Sequence, residues 1–306
     1  MPAVLVCIVI SVAVVALYYA IHHILPYSAI CPARVTSEKL FRYTRFSVKP
    51  DDYHLTPSYF AFITRDSLQL AGWYCQRHNA KGTVIILHGI ASCKEMTLHA
   101  MKRYYDDGYS VVAYDSRAHG QSGGQYCTLG YYEKFDVQSC IDFISTNLQL
   151  SKPFILHGNS MGAAIALQAM AIDKRIAAGV CESSFATLHE TMYDYMDDFF
   201  HVRWSWLAEP VFRRTEEIAS FIIRDVSPEN SARSITQPVL LVHGDADEKI
   251  DVSYVHRNYN ALASDSKELY VVSGGGHFNL PDIGGKKYEQ HILRWLNKNI
   301  PSSYHD

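Results

Sequence analysis

Apolar residues run along this chain in three rhythms, and each predicts a different kind of element. The first is unbroken. Pro2 to Ile21 is nearly continuous apolar sequence, and no Lys or Arg precedes Arg34. About 20 residues at 1.5 Å per residue cover the roughly 30 Å hydrocarbon core of a bilayer. Residues 1–25 are therefore read as an uncleaved, single-pass transmembrane anchor. A cleaved signal peptide would open on positive charge and end on small residues at the cut. Here the chain opens Met-Pro-Ala, and Tyr18 and Tyr27 stand where small residues belong. A buried core helix is a third reading, disfavoured by so long an uncharged run.

The second rhythm begins at Tyr59, after a polar, aromatic, proline-punctuated stretch (26–58) read as a juxtamembrane connector. Tyr59–Thr64 and Leu68–Gln76 read as a strand hairpin around Arg65-Asp66-Ser67. Short apolar runs then alternate with helical spacing. Strands are expected at Thr83–Leu87, Tyr109–Tyr114, Pro153–His157, Ala177–Cys181, Pro238–Val242 and Glu268–Val272. Between them Leu98, Met101 and Tyr105 share one helical face, as do Val137, Ile141 and Ile144. Val252–Leu262 is a further helix, and Tyr288, Ile292, Trp295 and Leu296 line the last one. Strands alternating with helices predict an α/β fold: a mostly parallel, doubly wound sheet covered on both faces. Active groups in such a sheet sit on loops beyond the C-terminal strand ends.

The third rhythm is an interruption. Residues 183–237 contain no clear strand but carry Phe185, Tyr193, Tyr195, Phe199, Phe200, Trp204, Trp206, Phe212 and Phe221. Following one strand end and preceding the next strand, this helical insertion is expected over the active-site mouth as a lid. An ordinary insertion packing its own small core is the alternative.

Chemistry enters at the junction of strand and helix around Ser160. The strand at 153–157 is followed by Gly158-Asn159-Ser160-Met161-Gly162 and then by Ala163-Ala164-Ile165-Ala166-Leu167. Strand, Gly-x-Ser-x-Gly and helix make a nucleophile elbow, with Ser160 in strained backbone above the sheet. A serine hydroxyl needs a base within hydrogen-bond reach, and the base needs a carboxylate to fix its tautomer. His277 follows the glycine-rich Ser273-Gly274-Gly275-Gly276 just past a strand and is the expected base. His157, His243 and His291 are given packing, turn or helix roles. The expected acid is Asp247, on the loop Gly244-Asp245-Ala246-Asp247. Asp245 reads as a turn residue, and Glu182 as a weaker acid candidate. The oxyanion needs two preorganised donors. The backbone N–H groups of Met161 and of Ile90, in His88-Gly89-Ile90-Ala91-Ser92, are expected to supply them.

Composition narrows the partners. The formal charge is −3 with no basic block, so nucleic acid is not expected. Seven scattered cysteines without a C-x-x-C pair fit free thiols in a reducing compartment. Arg34, Lys39, Arg42, Arg45 and Lys49 crowd the far flank of the anchor. By the positive-inside rule they put the catalytic domain (59–306) in the cytoplasm. No metal-ligand cluster, haem motif or phosphate cradle is seen, and no cofactor is expected.

From Tyr59 to Ile300 the chain resembles the α/β-hydrolase superfamily. The resemblance rests on His88-Gly89, on Asp115-Ser116-Arg117-Ala118-His119-Gly120-Gln121-Ser122, on the elbow, on Gly244-x-x-Asp247 and on Gly276-His277. With Leu70-Ala71-Gly72-Trp73-Tyr74 and the N-terminal apolar segment, it looks like membrane-anchored bacterial hydrolases. These are related to serine aminopeptidase, acylglycerol-lipase and prolyl-oligopeptidase catalytic domains. The resemblance implies a structural role for the Asp115–Ser122 block, in which Ala118 stands where a glycine is usual. It does not fix a substrate. A serine hydrolase acting on a carboxylic ester or thioester, with a small-molecule or lipid-like acyl substrate, is the first expectation. The second is an aminopeptidase, for which Glu190, Asp194, Asp197 and Asp198 could hold a substrate ammonium. The third is a catalytically silent binding protein on the same fold.

Overall fold

A computed structural model of the protein describes residues 2–35, 39, 48–201 and 203–300. Arg42 and Arg45 of the basic flank lie outside the described residues. Eight strands form one sheet: β1 (Ser58–Ile63), β2 (Gln69–Cys75), β3 (Thr83–Leu87), β4 (Ser110–Tyr114), β5 (Phe154–Asn159), β6 (Ile176–Glu182), β7 (Val239–Gly244) and β8 (Lys267–Val272). Their order is β1-β2-β4-β3-β5-β6-β7-β8. β2 runs antiparallel to β1 and to β4, and the remaining pairs are parallel. Each predicted strand is present, with ends shifted by a residue or two.

Both faces of the sheet are covered, so its strands need not alternate polar with apolar. Ile85 and Leu87 of β3 face one core, with Val137 and Ile141 of α4 (Glu133–Thr146) and Ile165 of α5 (Met161–Ile172). Val84 and Ile86 face the other, with Leu98 and Met101 of α3 (Leu98–Asp106) and Ile292 and Trp295 of α10 (Leu280–Asn299). The strand period of two sorts neighbouring side chains into opposite layers.

The loop after β4 ties the antiparallel edge to the parallel centre. Asp115, fully buried, accepts from Lys94 N and Lys94 Nζ at 2.8 Å each and from Gln121 N at 2.9 Å. A Cβ on Gly120 would lie 2.3 Å from the Asp115 carboxylate, so only glycine fits there. Ala118 keeps a φ of +63°, the left-handed backbone that favours glycine. Arg117 forks onto Asp136 (Nε–Oδ2 2.8 Å, Nη2–Oδ1 2.6 Å) and reaches Asp66 in the β1–β2 turn at 2.9 Å. Cys93, Glu95 and Asp115 converge as metal ligands would, but the Lys94 ammonium lies among them, 2.8 Å from Asp115 and 3.4 Å from Glu95.

Between β6 and β7 the chain leaves the sheet for α6 (Leu188–Phe200), α7 (Ser205–Ala219) and α8 (Pro228–Ala232); α9 (Ser253–Ala261) follows β7. Thr187 caps the start of α6: its Oγ1 accepts from Glu190 N at 3.4 Å and donates to Glu190 Oε2 at 2.9 Å. Ala208, Val211, Phe212, Thr215 and Ala219 give α7 one buried face at helical spacing.

At the N-terminus α1 (Pro2–His23) is apolar all round, and Val4, Leu5, Val6, Ile8, Val9 and Ile10 in succession are exposed. At 1.5 Å per residue it is long enough to cross a bilayer. α2 (Leu25–Ile30) follows and turns onto α7, with Pro26 O 3.4 Å from Thr215 Oγ1. The stretch read from its composition as a connector therefore begins inside the domain. Ile30 is fully buried in the main core, and its carbonyl accepts from Cys127 N at 2.8 Å.

The buried fork at Arg117 makes a testable claim. Arg117→Met leaves Asp136 buried without its partner and should destabilise the domain by about 3–5 kcal/mol. Thermal unfolding of the full chain in detergent should show a clearly lowered Tm; an unchanged Tm would contradict the role given to this pair.

Candidate active site

Backbone packs closely beneath Ser160. β5 ends at Asn159 and α5 begins at Met161, so Ser160 alone makes the reversal, with φ 55° and ψ −118°. A Cβ on Gly158 would lie 2.2 Å from Gly162 O, and one on Gly162 would lie 2.1 Å from Leu87 O. Real Cβ atoms do not approach so closely, so both positions demand glycine. The Ser160 N–H donates to Glu182 O at 2.8 Å, which fixes the turn to the end of β6. The side chain that results is largely buried but points along the C-terminal edge of the sheet, where the loops after β3, β7 and β8 converge.

Two of those loops bring His277 and Asp247 to it. His277 Nε2 lies 2.9 Å from Ser160 Oγ, and His277 Nδ1 lies 2.8 Å from Asp247 Oδ2. The loops are laced together before either side chain is considered. Ala246 N donates to Gly275 O at 2.9 Å, and Gly274 N donates to Asp245 Oδ1 at 2.6 Å. Asp245 thus takes a turn-fixing role, while Asp247 faces the histidine. Asp247 Oδ1 accepts from Lys249 N and Ile250 N at 2.9 Å each, and His243 Nε2 stands 3.3 Å from Oδ2. Burial alone would raise the Asp247 carboxyl, but the hydrogen bonds from His243, His277 and the Ile250 amide override it and hold it well below the usual range. A carboxylate that stays charged keeps a proton on the facing Nδ1, so Nε2 presents its lone pair to the serine.

The loop after β3 runs beside Ser160, and the Cβ position of Gly89 is 3.5 Å from Ser160 Cβ. Two buried histidines brace it. His88 Nδ1–H donates to Gly89 O at 2.7 Å, and His88 Nε2 accepts from Ser116 N at 2.9 Å. Gly89 C=O and Ile90 N–H belong to one trans peptide and point in opposite directions. Holding the carbonyl on His88 therefore aims the Ile90 N–H the other way. The next peptide is held through Ala91 N, which donates to His119 Nε2 at 3.1 Å, while His119 Nδ1–H donates to Arg117 O at 2.9 Å. Met161, the first residue of α5, has one of the first-turn N–H groups that a helix leaves without a partner.

The structure brings Ser160, His277, Asp247, Ile90 and Met161 to one end of the sheet. Glu182, the weaker acid candidate, is engaged elsewhere: its carboxylate accepts from Tyr288 Oη and lies 3.4 Å from His157 Nε2, whose Nδ1 is 2.8 Å from Tyr104 Oη. Its backbone carbonyl, not its side chain, serves the elbow. His243, assigned a turn role from sequence, also backs Asp247. The bracing roles of His88 and His119 escaped sequence reasoning, although both residues sit in recognised motifs. Their partners depend on a contact between loops 28 residues apart, which no local pattern encodes.

The chain's likenesses to known proteins agree with this architecture. A family model described as serine aminopeptidase, S33, matches residues 78–228. An uncharacterised protein of Bacillus subtilis, YqkD, is 29% identical over 211 residues, 68% of each chain. A monoacylglycerol lipase of Mycolicibacterium smegmatis is 26% identical over 253 residues, covering 72% of this chain and 89% of that protein. Among solved structures, the esterase Pf2001 of Pyrococcus furiosus superposes with a TM-score of 0.71 at 26% identity, covering 88% of this chain and 99% of that one.

Burial of the bracing histidines predicts a pH dependence. His88 is pushed down to about 4 by burial and by the neighbouring His119, and burial also lowers His119 and His157. Their folded pKa values lie below the ordinary histidine value of about 6.5, so the unfolded chain binds more protons between the two. Stability should be fully present above about pH 6.5 and fall as pH drops towards 4. Melting curves taken across that window should show a declining Tm; a Tm that rises or stays level on acidification would refute the neutral bracing histidines.

Proposed function

Because the chain is a hydrolase of the α/β-hydrolase superfamily, we propose that it is a serine hydrolase cleaving carboxylic esters or thioesters through an acyl-enzyme on Ser160. The observation that carries this reading is the unbroken relay from Ser160 Oγ to His277 to Asp247, with contacts of 2.9 and 2.8 Å. As Ser160 Oγ attacks the acyl carbon, His277 Nε2 takes its proton and Asp247 stabilises the imidazolium. The carbonyl oxygen becomes an oxyanion, received by the N–H groups of Ile90 and Met161. His277 returns the proton to the leaving alcohol or thiol. Water, deprotonated by the same nitrogen, then releases the acid and restores Ser160.

An aminopeptidase would need free acidic groups at the mouth to hold a substrate ammonium. The acidic residues of α6 are largely engaged: Glu190 lies 2.5 Å from Arg257, Asp197 lies 3.1 Å from Arg203, and Asp194 binds both Arg203 and Tyr254. Arginines already pair with these carboxylates, so the ester reading is favoured. The insertion over 183–237 is read as the lid of this site, and α1 as a membrane anchor with the catalytic domain on the cytoplasmic side. An apolar helix beside the domain suits a lipid-like acyl substrate.

A fluorophosphonate probe tests the central assignment. Wild type should be labelled, and Ser160→Ala and His277→Ala should not; an unlabelled but folded wild type would leave a silent binding protein as the better reading. Hydrolysis of p-nitrophenyl esters of graded chain length should then far exceed cleavage of aminoacyl-p-nitroanilides, and the reverse order would favour the peptidase. The oxyanion assignment has its own check. Ile90→Ala keeps the backbone donor and should leave kcat nearly unchanged, whereas Ile90→Pro removes it and should lower kcat by about 10²–10³.

A further inference from the structure

Arg34, in the basic flank of the anchor, already spends its charge on the domain. Arg34 lies just past α2 and reaches the loop that follows β4. Its Nη1 donates to Ser122 O at 2.7 Å, Gly120 O at 3.1 Å and His119 O at 3.4 Å, and its Nη2 donates to Gly124 O at 2.7 Å. A guanidinium offers several N–H groups in a fixed plane, which suits a ring of carbonyls that a single ammonium could not span. The approach is set on the other side by α2: Pro26 and Ile30 are buried, and the Ile30 carbonyl takes the Cys127 N–H at 2.8 Å. Residues 26–34 therefore grip this loop at both its ends.

The gripped loop carries His119, which touches the candidate oxyanion loop. Arg34 holds the His119 carbonyl, and the His119 ring accepts the Ala91 N–H at 3.1 Å. The peptide so held is the one after Ile90. The bond needs His119 neutral with its proton on Nδ1. Burial favours the neutral form, and the nearby Arg34 cation disfavours the charged one further. Ala91 itself has a φ of +52°, a backbone conformation that alanine does not keep unless its surroundings hold it.

We propose that Arg34 is a positioning residue: by clamping the 119–124 loop it holds His119 against Ala91 N–H and so aims the Ile90 N–H at the oxyanion. The membrane-proximal segment is then part of the catalytic apparatus rather than a tether. The inference rests on the serine-hydrolase reading above, and it assigns Arg34 no contact with substrate.

The test uses the full chain in detergent, with a short p-nitrophenyl ester as substrate and the fluorophosphonate probe to titrate active sites. Complete loss of an oxyanion donor costs about 10²–10³ in rate, so a mis-aimed one should cost at least about tenfold. Arg34→Ala should lower kcat per titrated site by about tenfold or more, with KM within about twofold of wild type. Arg34→Lys keeps the charge but not the fork, and should behave as Arg34→Ala. His119→Ala should lower kcat in the same way, and the double variant should be no slower than His119→Ala alone, because both act through one contact. Several outcomes overturn the proposal. Arg34→Ala could lose titratable sites while keeping kcat per site, which is a folding role only. Arg34→Lys could match wild type, or the double variant could show additive losses. A wild type that takes up no probe would overturn the serine-hydrolase reading and this inference together. A labelled wild type with normal turnover per site in Arg34→Ala would overturn this inference alone.

Discussion

Everything at the C-terminal edge of the sheet depends on how closely three pieces of backbone approach one another beneath Ser160. The end of β5, the first turn of α5 and the end of β3 meet with no room for a Cβ on Gly158 or Gly162. That contact forces Ser160 into a φ of 55°, which projects its hydroxyl from the turn and leaves the first N–H groups of α5 pointing towards the same space. It also brings Leu87, and with it the loop through Gly89 and Ile90, against Ser160. The placement of Ser160, Ile90 and Met161 thus follows from one packing event between elements, each formed from an ordinary strand or helix sequence.

The polar groups around Ser160 show how buried titratable side chains are each kept in one protonation state. Asp247 is buried yet stays a carboxylate because amide and imidazole N–H groups surround it. His88 and His119 stay neutral because burial penalises their cations, and a neutral ring can donate on one nitrogen and accept on the other. Each of these rings uses both, adding to the bonds through Lys94 that join the loop after β3 to the loop after β4. The acidic residues of α6 show the opposite arrangement, with Glu190, Asp194 and Asp197 neutralised by arginines.

Much of this was legible in the sequence, for physical reasons. Runs such as Val84–Leu87 and Val239–Val242 are apolar throughout because their strands are covered on both faces, and helices at 3.6-residue spacing separate them. Ser160, Asp247 and His277 were singled out because each sits on a short loop just past a strand, and the structure brings the three side chains within hydrogen-bond distance. What the sequence did not reveal was contact across long separations. Glu182 reads as a possible acid from its place at a strand end, but Tyr288, 106 residues later, takes its carboxylate. The stretch from Pro26 to Arg34 reads as a linker because it is short and mixed in polarity. Its value to the fold lies in Ile30 and Arg34, whose partners lie more than 80 residues away.

The most direct measurement is a rapid-quench reaction of the full chain with a p-nitrophenyl ester, followed by mass spectrometry of the digested protein. The account predicts a burst of p-nitrophenol equal to the enzyme present and an acyl group on the peptide containing Ser160, with neither seen in His277→Ala. Turnover of the ester with no burst and no adduct on Ser160, or with the adduct on another residue, would contradict it.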